Sequence, residues 1–245
     1  MRLTVLGNYG SFPGVGGACS GYLLEQAGWH ILLECGNGVL SRLQRYCRIE
    51  DLDGIILSHL HSDHMADLLV LRYALETKRA LGETLNPLPL YMPATPEDVA
   101  KSLDYEGVFA IRHIKDSIEV RLGPLGISFV RMEHSVESYA VVVSVGGKKM
   151  VYSGDTIYNS RLVEIAKEAD LMLCESTAVL GKHTSSKDIP HLTARQAAEI
   201  AAQAGVCKLL LTHFWYEEKK ENYLEEARKV FSNTSLAEEL ISYEL

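Results

Sequence analysis

The sequence predicts an α/β fold built from two mixed β-sheets packed face to face, with helices on the outside. Three observations carry the prediction. The first half is rich in short apolar runs separated by glycine turns, the second half alternates helical and buried-strand patterns, and a histidine cluster falls at a strand-to-helix junction. Open α/β layers gather ligand-binding side chains at such strand ends, where loops converge without disturbing the core. At 245 residues the chain is long enough to bury a substantial core, and nothing forces a division, so residues 1–245 are expected to form one domain.

Residues 3–6 form an apolar, β-compatible run, a loop carrying Gly7, Gly10, Gly14, Gly16 and Gly17 follows, and residues 20–24 resume as strand. No helix follows this loop, which excludes a dinucleotide fingerprint. Its length and glycine content make it either a lid or a backbone wrap close to a ligand. Ala27-Gly28 supplies a hairpin turn into a strand over residues 30–34, and a helix is expected over residues 38–46. Residues 54–57 read as a buried strand and residues 65–81 as a helix. Further on come a strand at 88–92, a helix at 95–103 opened by Thr95-Pro96-Glu97, and strands at 117–121 and 127–131. Residues 139–145 and 149–152 pair through Gly146-Gly147. After Asp155 the pattern gives helix 159–167, strand 170–174, alanine-rich helix 193–203, strand 206–211 and amphipathic helix 218–231, with the last residues forming either a strand or a tail.

Apolar residues make up 47% and charged residues 23%, values that exclude a disordered chain and a membrane protein. No apolar run approaches the roughly 18 residues of a membrane span, and the first residues do not resemble a secretory signal, so a cytoplasmic location is expected. Cys19, Cys35, Cys47, Cys174 and Cys207 are scattered and odd in number, as reduced thiols would be. Cys35 is either a small buried hydrophobe or a neighbour of the site. The net charge of −8 and the lack of a basic cluster argue against a broad nucleic-acid footprint, but not against a small phosphorylated substrate.

The most informative stretch is Ser58-His59-Leu60-His61-Ser62-Asp63-His64, three imidazoles and a carboxylate in an H-x-H-x-D-H spacing. On an extended backbone His59 and His61 point the same way and can grip one cation, while Asp63 and His64 face a second. Neutral imidazole and carboxylate suit zinc, with manganese or iron as alternatives. Three more metal-competent side chains end apolar runs or turns: His134, Asp155 and His213. Each alone reads equally well as a strand-end or capping residue; together with the cluster they make seven ligands, enough for two metals. His30 and His113 are read as surface or packed residues.

This four-part pattern, with Asp155 in Tyr-Ser-Gly-Asp-Thr and His213 in Leu-Leu-Thr-His-Phe, resembles the metallo-β-lactamase superfamily over nearly the whole chain. The resemblance implies a four-layer αβ/βα sandwich with a dinuclear centre at the shared edge of two mixed sheets. It assigns His59, His61 and His134 to one metal, Asp63, His64 and His213 to the other, and Asp155 to a bridge. Within the superfamily the chain is similar to ribonuclease Z and related phosphodiesterases. Their strand ending in Asp-Cys-Gly appears here as Glu34-Cys35-Gly36, their further histidine as His191 in Pro-His-Leu-Thr-Ala, and their upstream glutamate as Glu175. His134 and Asp155 are only 21 positions apart, room for a hairpin and not for the long tRNA-grasping arm of ribonuclease Z.

The function this implies is hydrolysis of a phosphodiester in a small or nucleotide-type substrate, with two divalent metals, Zn2+ or else Mn2+, generating the attacking hydroxide. Asp63 would orient the water or accept its proton, His191 would stabilise charge or protonate the leaving group, and Glu175 would orient His191. The glycine loop with Tyr9 and Phe12 would close over the substrate, unless those aromatics serve only packing. A thioesterase or lactonase would use the same ligands. A non-enzymatic metal-binding protein is disfavoured because no ligand is missing. Transfer RNA is not expected as a partner, and a homodimer is left open.

Overall fold

Most strands of this chain are apolar on both faces, and such strands need one face covered by another sheet and the other by helices. The computed structural model, which describes residues 1–179 and 189–245, meets this need with four layers. The amino-terminal half contains β1 (Arg2–Gly7), β2 (Gly21–Gln26), β3 (Trp29–Leu33), α1 (Val39–Leu43), β4 (Gly54–Ile56), α2 (Ser62–Ala80), β5 (Leu88–Met92), α3 (Glu97–Leu103) and β6 (Phe109–His113). Then follow β7 (Glu119–Leu122), β8 (Leu125–Met132), β9 (Ser138–Val145), β10 (Lys148–Tyr152), α4 (Ser160–Ala166) and β11 (Leu171–Glu175). The chain ends with α5 (Ala194–Ala204), β12 (Leu209–Thr212), α6 (Lys220–Arg228), β13 (Thr234–Leu236) and β14 (Ser242–Glu244).

Among the described residues each sheet has seven strands, ordered β14-β1-β2-β3-β4-β5-β6 and β13-β12-β11-β10-β9-β8-β7. Both are mixed. The β1 to β3 meander is antiparallel and β3 to β6 are parallel, while β7 to β10 are antiparallel and β10 to β13 parallel. Alternation along the strands decides which layer each side chain joins. Tyr22, Leu24, Ile31, Leu33 and Ile56 meet Phe129, Val141, Val143 and Tyr152 between the sheets. Their neighbours Leu23, Leu32 and Ile55 face outward, where Leu68 and Leu71 of α2 and Leu103 of α3 cover them. On the far side Val151, Met172, Leu209 and Leu211 lie under Leu162, Ala198 and Ala201. No helix among the described residues is long and apolar enough to cross a membrane.

The predicted layering is the observed one, and the differences are local. β6 was not expected, because an edge strand with a half-exposed face carries no continuous apolar run. β13 has only three residues, too few for a pattern. The expected helices at 38–46 and 218–231 shorten to α1 and α6, and α2 begins at Ser62 rather than at residue 65. Its polar first turn hides the helix start from an apolar periodicity. The last residues form β14, antiparallel to β1. α5 starts with a reciprocal capping box between Thr193 and Gln196 and ends at Gly205 in the left-handed region, so both ends are set by local chemistry.

Candidate metal centre

Parallel strands deliver their carboxyl ends to one edge, and six strand ends meet there. Glu34 follows β3, His59 follows β4, His134 follows β8, Asp155 follows β10, Glu175 closes β11 and His213 follows β12. His61 caps α2 in an extended conformation, φ −71° and ψ 151°, and His59 and His61 share a side as their spacing predicts. Asp63 and His64 lie in the first turn of α2, where a carboxylate also complements the helix dipole. His213 and Glu34 have left-handed backbones, φ 60° and 61°, a conformation costly for non-glycine residues and concentrated at functional sites.

All seven expected ligand residues come together. His59 Nε2 lies 3.0 Å from His61 Nδ1, which lies 3.2 Å from His134 Nε2. On the other side His64 Nε2 is 3.0 Å from His213 Nε2, which is 3.2 Å from Asp63 Oδ2. Asp155 Oδ2 stands between the two sets, 3.6 Å from His59, 3.9 Å from His134 and 3.4 Å from both His64 and His213. Donors held about 2.0–2.1 Å from one tetrahedral ion are about 3.3–3.4 Å apart, so these separations are those of atoms facing a common cation. His191 joins the cluster with Nδ1 3.8 Å from Asp155 Oδ2, whereas His30 sits near Glu25 and His113 is exposed.

The donor chemistry fits divalent cations on a second ground. Asp155, Glu34 and Glu175 are buried, and among the described residues every ion-pair contact they make is to a histidine, with no lysine or arginine involved. Asp155 Oδ1 is buried and finds no hydrogen-bond partner among the described residues. An isolated carboxylate in such a place is strongly disfavoured without positive charge. Burial resists ionisation of Asp155, but His213, His64 and His59 hold its carboxyl well below the usual range. Burial likewise resists the charged form of His64, yet Asp155, Asp63 and Glu34 raise it well above an ordinary imidazole. His59, His61 and His134 are lowered, each mainly by burial, which favours the neutral form a metal ligand needs.

Each imidazole is also held from behind. The outward nitrogen of His59 meets Ser58 Oγ at 3.0 Å, that of His134 meets the Pro190 carbonyl at 3.0 Å, and that of His61 faces Ser135 Oγ at 3.5 Å. His213 Nδ1 hydrogen-bonds with Thr177 Oγ1, and His64 Nδ1 faces Glu34 Oε2 at 3.5 Å. Such partners select the tautomer and fix the ring. Glu34 is itself fixed by the Ser58 N–H at 2.9 Å, while its Oε2 faces His64 Nδ1 without a hydrogen bond. Cys35 is fully buried in the helix-side core with its thiol pushed well up, a packing residue. Sequence reasoning missed Ser58, Ser135, Thr177 and the Pro190 carbonyl. Only their closeness in sequence to His59, His134, Glu175 and His191 could have pointed to them.

The glycine loop is a wrap and not a raised lid. Ser11 N–H donates to Asp63 Oδ2 at 2.6 Å, and the position a Cβ would take on Gly10 lies 2.5 Å from the His213 ring. Only glycine lets the backbone approach so closely.

Residues 30–214 match the β-lactamase superfamily domain, and this span contains all six strand ends. The chain belongs to the β-lactamase superfamily. This superfamily member is 33% identical to the probable metallo-hydrolase YhfI of Bacillus subtilis (strain 168) over 232 residues, 95% of this chain and 94% of YhfI. The crystal structure of YhfI, a metallo-β-lactamase fold protein, superposes with a TM-score of 0.92 over 99% of both chains at 31% identity. Ribonuclease Z of Archaeoglobus fulgidus is 28% identical over 303 aligned positions, covering 100% of this chain and 98% of that enzyme. The short form of human tRNase Z shares the fold, with a TM-score of 0.78 at 21% identity over 100% of this chain and 99% of that one.

Gly10→Ala should force the loop and His213 apart. We expect destabilisation of about 1–3 kcal/mol in denaturant unfolding; an unchanged midpoint would show that the loop yields without cost.

Proposed function

We propose that this protein is a hydrolase with a dinuclear divalent-metal centre that cleaves a phosphodiester bond in a small or nucleotide-type substrate. His59, His61 and His134 would hold one ion, Asp63, His64 and His213 the other, and Asp155 would serve both. The nitrogen-rich donor set favours Zn2+, with Mn2+ as the alternative. Bound there, the ions would supply a hydroxide-strength nucleophile at neutral pH and a positive field for the charge that builds on the substrate.

The observation that carries the choice of reaction is the dyad of His191 and Glu175. His191 Nδ1 lies 3.0 and 3.1 Å from the two oxygens of the buried Glu175 carboxylate, so the ring is fixed with its other nitrogen turned away from Glu175. Burial opposes its protonation, but Glu175 overcomes that and raises His191 to about 9. A cationic imidazole beside the ligand cluster stabilises an anionic phosphate and protonates a departing alkoxide. A thiolate leaving group, with a pKa of about 8.5, has less need of such an acid, which disfavours the thioesterase reading. Asp63 is opposed by burial but held far below the usual carboxylate range by His64 and His213, too weak a base to accept a proton at neutral pH. Its role is therefore to bind and orient. Glu175 also accepts from the Thr156 and Thr177 N–H groups and acts as a positioning residue.

Substrate size follows from what fills the interval between His134 and Asp155. The β9–β10 hairpin occupies it. The alignment with the Archaeoglobus ribonuclease Z spans 303 positions against 245 residues here, so that enzyme carries insertions this chain lacks. Both observations, with the acidic net charge, argue against a transfer RNA substrate. The five free cysteines fit a cytoplasmic setting.

Zinc- or manganese-loaded protein should hydrolyse phosphodiesters or cyclic nucleotides and leave thioesters and lactones untouched; the reverse preference would select the acyl hydrolase reading. His61→Ala and Asp155→Ala should lower the metal content found by elemental analysis and abolish turnover. His191→Ala should retain metal and lose about 10²- to 10⁴-fold in kcat. The form of His191 needed for catalysis is the protonated one, so kcat should fall as pH rises through about 9. Glu175→Gln removes the charge that raises it, and the alkaline limb should move to lower pH; an unmoved limb would assign it to another group.

A further inference from the structure

We propose that Phe12, Trp215 and Tyr216 form a stacking platform for the base of a nucleotide substrate beside the candidate metal centre. This deepens the phosphodiesterase reading and rests on it for the position of the phosphate. The platform is continuous with the site. Phe12 follows Ser11, whose N–H bonds Asp63, while Trp215 and Tyr216 are two and three residues beyond His213. Backbone bonds from Gly10 to Phe214 at 3.0 Å and from Phe214 to Asn8 at 2.9 Å tie the two segments together.

The three rings meet edge to face. Phe12 lies 5.3 Å from Trp215 at 83° and 5.8 Å from Tyr216 at 67°. An edge-to-face contact covers at most one ring face in each pair, and Phe12 and Tyr216 remain 40% and 44% exposed. Apolar surface grouped in this way marks a binding surface rather than scatter. The platform is also pre-organised. Tyr9 meets the Tyr216 ring edge-on at 6.2 Å and 72°, Lys220 Nζ sits 4.1 Å over the Tyr9 ring, and the Trp215 N–H donates to Tyr223 Oη at 3.2 Å. Rings fixed in this way keep the ordering cost of binding low. Aromatic faces beside a phosphate-binding centre suit a planar base, and they accept it without regard to its hydrogen-bonding edge.

The chain contains two tryptophans, Trp29 and Trp215. Trp29 starts β3 and packs on Gly123, at the opposite strand end from the site, so Trp29→Phe leaves Trp215 as the reporter. In zinc-loaded Trp29→Phe protein, adenosine 5′-monophosphate should quench the indole emission saturably and ribose 5-phosphate should not. Adding Phe12→Ala and Tyr216→Leu should abolish the quenching. With a shared leaving group, thymidine 5′-(4-nitrophenyl phosphate) should be preferred over methyl 4-nitrophenyl phosphate, and Phe12→Ala should lower that kcat/KM ratio about tenfold. Equal effects of the two monophosphates, or an unchanged ratio, would overturn the platform. If neither ester is cleaved, the phosphodiesterase reading fails, and the fluorescence measurement still decides the stacking.

Discussion

Buried negative charge is the constraint on which this structure turns. Asp155, Glu34 and Glu175 are removed from water and, among the described residues, form ion pairs with histidines alone. Low dielectric makes such a group of carboxylates untenable without positive charge. The surrounding architecture can be read as the means of gathering that charge: parallel strands aim their ends at one edge, and the side chains lie at those ends or in the first turn of α2. The left-handed backbones at Glu34 and His213 are part of the same requirement, because the chain must turn sharply to face inward straight after a strand.

Much of this was legible in the sequence, for identifiable reasons. H-x-H-x-D-H compresses four side chains into one junction, and His134, Asp155 and His213 each follow an apolar run, so the period-2 and junction patterns carry the signal. The layering was legible because strands buried on both faces read as continuous apolar stretches. What escaped was carried by groups without a periodic signature. Hydroxyls at Ser58 and Thr177, a carbonyl at Pro190 and an N–H at Ser11 are found only once the chain has folded around them. β6 escaped because edge strands are built to be half polar.

The two ends of the site differ in character. Around the histidines the contacts are polar and mostly buried, which favours one geometry and tolerates little change. Around Phe12, Trp215 and Tyr216 the contacts are apolar, edge-on and partly open. A division of this kind lets the chemistry stay constant while the recognised group varies, since substitutions at the rim leave the donor set untouched.

The anchors of the glycine loop have a consequence in time. Asn8 bonds the Ala237 carbonyl, Glu239 holds Ala18 and Arg42, and β14 pairs with β1, contacts that span nearly the whole chain. During synthesis the amino-terminal residues emerge first, yet the partners of Asn8, Ala18 and Arg42 follow 197 to 229 residues later. Strands β1 to β6 and their helices can assemble early, but the rim of the site must wait for Ala237 and Glu239, so a nascent chain carries the His59–His64 segment before it carries a finished binding face.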